Sequence, residues 1–195
     1  MTGPKPKHGR GAIWMVWGDF DKRVLERSQA SLAKVHPNLA RHVIELPAGS
    51  TLLDKACMLD LTPFEETLFL DADTVVLDDL TYGFEQASHF GLACSICECP
   101  WARRYGGIAG DMVEYNTGVL FFTEAARPVF DAWQARNADT DSSIVFHGAG
   151  GELARMPLND QAGFARAVDE TGFRPFVLPY NWNFRPKWHK SWFGP

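Results

Sequence analysis

Short apolar runs alternate with amphipathic segments through the first 75 residues, and this confines the chain to a β-α-β-α-β order. Ala12–Trp17 is an apolar run that stops at Gly18-Asp19, the pattern of a strand entering a turn. Val24, Leu25, Ser28, Leu32 and Val35 recur at helical spacing between Asp21 and His36, and Pro37 ends that helix. Arg41–Leu46 reads as the second strand. Ser50–Leu61 reads as a helix capped by Ser50, with Pro63 beyond its end, and Thr67–Leu70 as the third strand. Strands separated by helices in this way pair in parallel, so the expectation is an α/β, mostly parallel sheet with helices on its faces.

Further elements follow at less regular spacing. The sequence predicts a short helix near Leu80–Ala87, a strand over His89–Cys97, and a polar, glycine-rich loop from Pro100 to Val113. A strong strand at Tyr115–Phe122 and a helix over Ala125–Arg136 come next. A mobile loop through Gly151, a helix at Asp160–Val168 and a final strand at Phe176–Leu178 complete the reading. With 195 residues, 46% of them hydrophobic, the chain can bury one core. It divides into a flexible basic lead over residues 1–11 and a single domain over 12–195.

The third strand delivers Asp71 and Asp73 where an open α/β sheet forms its ligand crevice, at the carboxyl end of a strand. Residues i and i+2 of a strand share a side, so both carboxylates can reach one hard cation, which relieves their repulsion. Carboxylate oxygens suit Mg2+ or Mn2+, and such an ion can hold a diphosphate. The plainer role for both is that of turn residues. Asp78 and Asp79 read as caps of the next helix, where negative charge is favoured.

A net charge of −5 argues against nucleic acid as a partner, although basic residues gather at both ends of the chain (Lys5, Lys7, His8, Arg10; Arg185, Lys187, His189, Lys190) and leave room for a local anion site. No apolar run approaches the roughly 20 residues of a membrane span. Ala12–Trp17 is too short for a signal-peptide core, so a cytoplasmic protein is expected. Cys94, Cys97 and Cys99 have metal-like spacing, and zinc would need Cys57 or a histidine as a fourth ligand; the alternative is a cluster of reduced thiols on a strand. Gly148-Ala-Gly-Gly151 lacks the Lys-Ser/Thr and the preceding strand of a phosphate loop.

Four segments in order resemble glycosyltransferase family 8, the glycogenin and lipopolysaccharide galactosyltransferase group, within the nucleotide-sugar-dependent GT-A fold. Thr67-Leu-Phe-Leu-Asp71-Ala72-Asp73 is similar to its DxD motif, and Glu114-Tyr-Asn116-Thr117-Gly118-Val to its Asn-x-Gly-Val strand. Asp160-Gln161 is similar to its Asp-Gln pair opening a helix, and Leu178-Pro-Tyr-Asn-Trp-Asn183 to its Leu-Pro-x-x-x-Asn segment. Together they cover about residues 12–186.

The resemblance implies a GT-A domain whose residues 12–100 bind the nucleotide sugar and whose residues 101–195 face the acceptor. It implies a Mn2+- or Mg2+-dependent transfer of sugar from a nucleotide-diphosphate sugar, usually a UDP-sugar, to a saccharide or other hydroxyl acceptor, with retention of configuration. Trp17, Gly18 and Asp19 would lie by the nucleobase. Lys55 would contact the donor, Asp71, Ala72 and Asp73 would form the metal and diphosphate site, and Asn116 and Thr117 would meet the sugar. Asp160 and Gln161 would face the reacting centre; Asp160 as a helix N-cap, and Lys55 as a solvated helix lysine, are the plainer readings. The family completes its metal site with a histidine in a C-terminal His-x-x-Gly-x-x-Lys segment. This chain offers His189 without a clean match to that segment. Two other functions stay open: a haloacid-dehalogenase-like phosphatase with Asp71 as nucleophile, and a nucleotide-sugar-binding module without catalysis.

Overall fold

The computed structural model describes residues 6–97, 112–141, 143–147, 152–156 and 158–185. Its main sheet has six strands in the order β2-β1-β3-β5-β4-β8. The strands are β1 (Arg10–Val16), β2 (Ala40–Glu45), β3 (Glu66–Leu70), β4 (Leu92–Ile96), β5 (Tyr115–Phe122) and β8 (Phe176–Leu178). β1 pairs in parallel with β2 and β3, and β4 with β8, whereas β5 is antiparallel to both β3 and β4. Five strands therefore share one direction and β5 alone is reversed.

The central strands are buried on both faces, which is why they read as continuous apolar runs. Period-two alternation sorts their side chains into two layers. Ile13, Met15, Phe69, Leu120 and Phe122 join Phe130, Trp133 and Phe164 of α4 (Arg127–Arg136) and α5 (Asp160–Thr171). Trp14, Val16, Leu68, Leu70, Val119 and Phe121 pack on the other face with Leu25 and Leu32 of α1 (Lys22–Val35) and Phe84 of α3 (Thr81–Phe90).

Three local expectations are corrected. The segment expected as one helix from Ser50 is a 3-10 turn, Leu52–Cys57, followed by a single α turn, α2 (Met58–Leu61). Ser50 is used one step earlier, its N–H donating to Pro47 O at 2.9 Å. Thr51 is the cap: its hydroxyl accepts from Leu53 N, and the Asp54 carboxylate accepts from Thr51 N at 2.6 Å, a reciprocal capping box. Where a loop through Gly151 was expected, β6 (Ile144–His147) lies within it and pairs with β7 (Leu153–Met156) just beyond it, since two short β-prone runs can pair where neither alone is distinctive. At α3, Asp79 Oδ1 accepts from Thr81 N and from the Thr81 hydroxyl, whereas Asp78 accepts, among the described residues, only from Asp79 N.

The basic lead is held from residue 7 onward. Lys7 donates to Leu59 O at 2.6 Å and pairs with Glu124, while His8 N donates to Pro63 O. Arg10 starts β1 and pairs with Glu66. These basic groups therefore serve the amino-terminal end of β1 and β3, opposite the end that carries Asp71.

Candidate active site at the carboxyl end of β3

β3 stops at Leu70 because the chain turns there. Asp71 N donates to Gly118 O of β5 at 2.8 Å, and Asp71 O accepts from Thr74 N at 3.1 Å and from the Thr74 hydroxyl at 2.7 Å. The turn is tied to the sheet by a short polar relay in which Trp14 Nε1 donates to Ser28 Oγ and Ser28 Oγ meets Thr74 Oγ1 at 3.2 Å. Asp71 and Asp73 thus sit in a turn, so the strand rule that puts i and i+2 on one side does not operate here. Asp71 is half-buried, whereas Asp73 is exposed.

Lys55 is the centre of the site. It is 2% exposed, which rules out a solvated helix lysine. Its Nζ lies 2.9 Å from Asp71 Oδ1 and 2.7 Å from Asp160 Oδ2, and over the Phe69 ring at 4.9 Å. The cap of α5 is Asn159, whose side chain accepts from Gln161 N at 2.8 Å. Asp160 therefore occupies the first helical position with its carboxylate free for other work. Asp160 Oδ2 also accepts from Thr117 Oγ1 at 2.6 Å. Burial alone would drive the Lys55 ammonium to lose its proton, but the Asp160 and Asp71 carboxylates outweigh it and raise its pKa. One cation cannot neutralise two acids. Asp71 accordingly has its pKa raised, first by burial and then by the Asp160 and Asp73 charges, against the opposing pull of Lys55.

Two carboxylate oxygens face outward from this triad. Asp71 Oδ2 and Asp160 Oδ1 accept no hydrogen bond among the described residues. With exposed Asp73, Asp71 Oδ2 offers hard oxygen donors that fit Mg2+ or Mn2+, ions that need only one or two protein carboxylates and keep other ligands from water or phosphate. Among the described residues no cluster of three or more His, Cys, Asp or Glu could hold a metal. His189, the expected third ligand, lies outside the described residues, as does Cys99. Cys94 is fully buried and burial pushes its thiol pKa up, while Cys97 contacts Arg185 and Gln161; the zinc reading finds no support among the described residues.

The structure brings Lys55, Asp71, Thr117 and Asp160 into direct contact. Asn116 borders them through Gly118, whose N–H donates to Asn116 Oδ1 at 3.1 Å. Gln161 turns away from the triad: its Nε2 donates to Glu114 Oε1 at 2.8 Å, holding the carboxamide in place. Trp17, Gly18 and Asp19 lie at the carboxyl end of β1, the strand beside β3, where Gly18 takes the left-handed φ of +61° that a glycine allows. Ala72 packs on the core and carries no side-chain function. Glu114 and Asn159 were not foreseen as site residues. Nothing in a sequence marks a carboxylate, such as that of Glu114, that will be 3% exposed.

The same fold occurs in solved glycosyltransferases. GlyE of Streptococcus pneumoniae TIGR4 matches with a TM-score of 0.53 at 17% identity, over 92% of this chain and 47% of its own. Its apo form gives 0.57 at 14% identity, over 89% and 46%. Mouse xyloside xylosyltransferase 1, also apo, gives 0.57 at 16% identity, over 88% of this chain and 86% of its own. The chain spans about half the length of GlyE. No protein-family model and no curated protein sequence matches it. The architecture is the GT-A type of α/β fold.

Proposed function

We propose that this chain is a metal-dependent glycosyltransferase that moves a sugar from a nucleotide-diphosphate sugar, a UDP-sugar first among them, to a saccharide or other hydroxyl acceptor. One observation carries the reading: a buried ammonium is clamped between two carboxylates, each with one oxygen free, at the strand end where open α/β sheets take ligands. Buried charge of this kind is costly for stability and is a marker of function when it lies in a crevice.

Asp71 and Asp73 are the residues that would hold the cation, with His189 as the further candidate. When bound, the ion would supply positive charge against the diphosphate that leaves. Lys55 acts as a positioning residue: both its ion-pair partners are protein carboxylates, and it fixes Asp71 and Asp160 relative to each other. Thr117 acts in the same way on Asp160, through its hydroxyl. Asp160 Oδ1 is then the oxygen left to orient a sugar hydroxyl. Gln161, held by Glu114, stands next to Asp160 at the start of α5, and Trp17, Gly18 and Asp19 border the base end of the donor. Retention is the outcome that the family resemblance implies.

A thermal-shift panel of nucleotide sugars, with and without Mn2+, tests the proposal. A ligand at 100 times its Kd stabilises the native state by about 2.7 kcal/mol. The expected result is a Mn2+-dependent rise in Tm with one donor, lost in the Asp71→Ala/Asp73→Ala double variant, together with transfer or slow hydrolysis of that donor. Donor binding without either reaction would indicate a binding module. Release of phosphate from small esters, lost in Asp71→Asn, would indicate a phosphatase. Indifference to every donor would sink the transferase reading.

A further inference from the structure

A groove lies at the amino-terminal end of β1, at the opposite end of the sheet from Asp71. It measures about 380 Å3 and opens between the carboxyl end of α1, the residues entering β2 and the start of α3. That is the size of a small-molecule site. Val35, Pro37 and Leu39 supply apolar lining, Arg10 and His36 are its titratable groups, and none of the lining residues is acidic. Arg10 is held from two directions. Its Nε donates to Glu66 Oε2 at 2.6 Å, and its guanidinium lies over the Phe84 ring, 4.7 Å from the centroid. Phe84 is itself fixed in the core. Nη1 and Nη2 of Arg10 have no hydrogen-bond partner among the described residues. Lys7 differs, since its Nζ is taken up by Leu59 O and Glu124. His36 adds a donor: its Nε2 accepts from Leu80 N at 2.9 Å, so the neutral ring carries its proton on Nδ1. Asp79 Oδ1 stands 3.3 Å from that Nε2 and already accepts from Thr81.

A guanidinium whose orientation is already set loses little freedom on pairing, and its two Nη groups match the two oxygens of a planar carboxylate. Charge narrows the class further. Glu66 and Asp79 already stand against Arg10 and His36, so a doubly charged phosphate would meet two acids for one fixed cation. A single negative charge suits the groove better. The apolar lining calls for a carbon body beside that charge. We propose that the groove binds a small carboxylate with an apolar body, its oxygens on Nη1 and Nη2 of Arg10 and its carbon chain along Val35, Pro37 and Leu39. This site is separate from the candidate active site and does not depend on the transferase reading.

Two-dimensional proton–nitrogen NMR of the full chain, titrated with sodium hexanoate, tests the proposal. Hexanol supplies the apolar body alone, and inorganic phosphate the charge alone. A ligand of this size is expected to have a Kd on the order of 1 mM. Hexanoate should give saturable shifts at the Arg10 side-chain Nε–H and at the backbone amides of Leu39 and Thr81, with a Kd at least about 5-fold lower than either control. Arg10→Lys keeps the charge but not the fork, and should weaken hexanoate about 10-fold. Glu66→Gln removes a competing acid and should tighten hexanoate about threefold. Shifts that do not saturate by about 50 mM, that hexanol matches, or that persist unchanged in folded Arg10→Lys overturn the site. Should Arg10→Lys not fold, equal or weaker hexanoate binding by Glu66→Gln overturns it alone. Phosphate binding more tightly than hexanoate overturns the carboxylate assignment.

Discussion

Lys55 meets Asp71 and Asp160 at 2.9 and 2.7 Å, and at the opposite end of the sheet Lys7 and Arg127 meet Glu124 at 3.0 and 2.7 Å. The distances are alike, but the surroundings are not. The Lys55 side chain is 3% exposed and that of Asp160 8%, whereas Arg127 is 31% exposed and Glu124 61%. In the outer cluster, water screens each charge, and Arg127 shares itself among Asp60, Glu124 and Asp131. Such pairs contribute little. In the inner cluster Lys55 and Asp160 are shut off from water and depend on each other, while Asp71 keeps 40% of its side chain exposed. Contact distance alone does not separate a functional ion pair from an incidental one; desolvation does.

The largest test of this contrast is Lys55→Met. It strands the buried Asp160 carboxylate and leaves half-buried Asp71 unpaired, and should cost about 3–5 kcal/mol in urea unfolding. A loss below 1 kcal/mol would show that the inner triad is as screened as the outer one. Asp71→Asn sharpens the contrast through pH. The Asp71 pKa is raised in the folded protein, so its contribution to stability is complete below the ordinary value of 3.8 and is lost as pH rises through the folded value. Relative to Asp71→Asn, wild-type stability should therefore fall as pH rises from 3.8 through that range, and a difference independent of pH would refute this. Near neutrality the variant should unfold no more easily than wild type, yet transfer should drop about 100-fold or more, the range found when a key electrostatic contact in catalysis is removed.

The smallest effect is expected at Arg127→Gln, about 0.5–1 kcal/mol. Here the sign reverses. Hydrogen bonding from Arg127 is the foremost influence lowering the pKa of Glu124; for Asp60, burial pushes upward first, but the bonds from Arg127 and Gln134 prevail and the pKa is lowered. The stability these acids contribute is present above their ordinary values of 3.8 and 4.5 and is lost as pH falls through the lower folded ones. The penalty of Arg127→Gln should thus fade on acidification, as followed by thermal unfolding between pH 7 and pH 2. A penalty that grows in acid would break the comparison.

The core was legible in the sequence because it obeys simple periods. Tyr115–Phe122 and Phe176–Leu178 fall where their apolar runs place them, and Leu25, Ser28 and Leu32 form the buried stripe of α1. Direction was harder: an apolar run such as β5 looks the same whether it joins a sheet forwards or backwards. The site was legible as residue types but not as contacts. Asp160 looks like a helix cap until Asn159 is seen to hold that place, and Lys55 looks solvated until its 3-10 turn is seen to bury it against Asp71 and Asp160. Asn183 ends the Leu-Pro-x-x-x-Asn segment, but that its Nδ2 is buried without a partner among the described residues is a property of the assembled fold.

The reversed direction of β5 has a consequence for how the protein is made. Leu70, the last residue of β3, pairs with Val119 in the middle of β5, and Asp71 N donates to Gly118 O, so Asp71 is met by residues synthesised some fifty positions later. Asp160 and Asn183 arrive later still. A nascent chain emerging from the ribosome can form the β1–β2–β3 layer early, but it carries Asp71 and Lys55 without Asp160 until α5 is released. On the transferase reading proposed above, the donor site is complete only once α5 has been translated, and a fragment released before it is expected to be inert rather than weakly active.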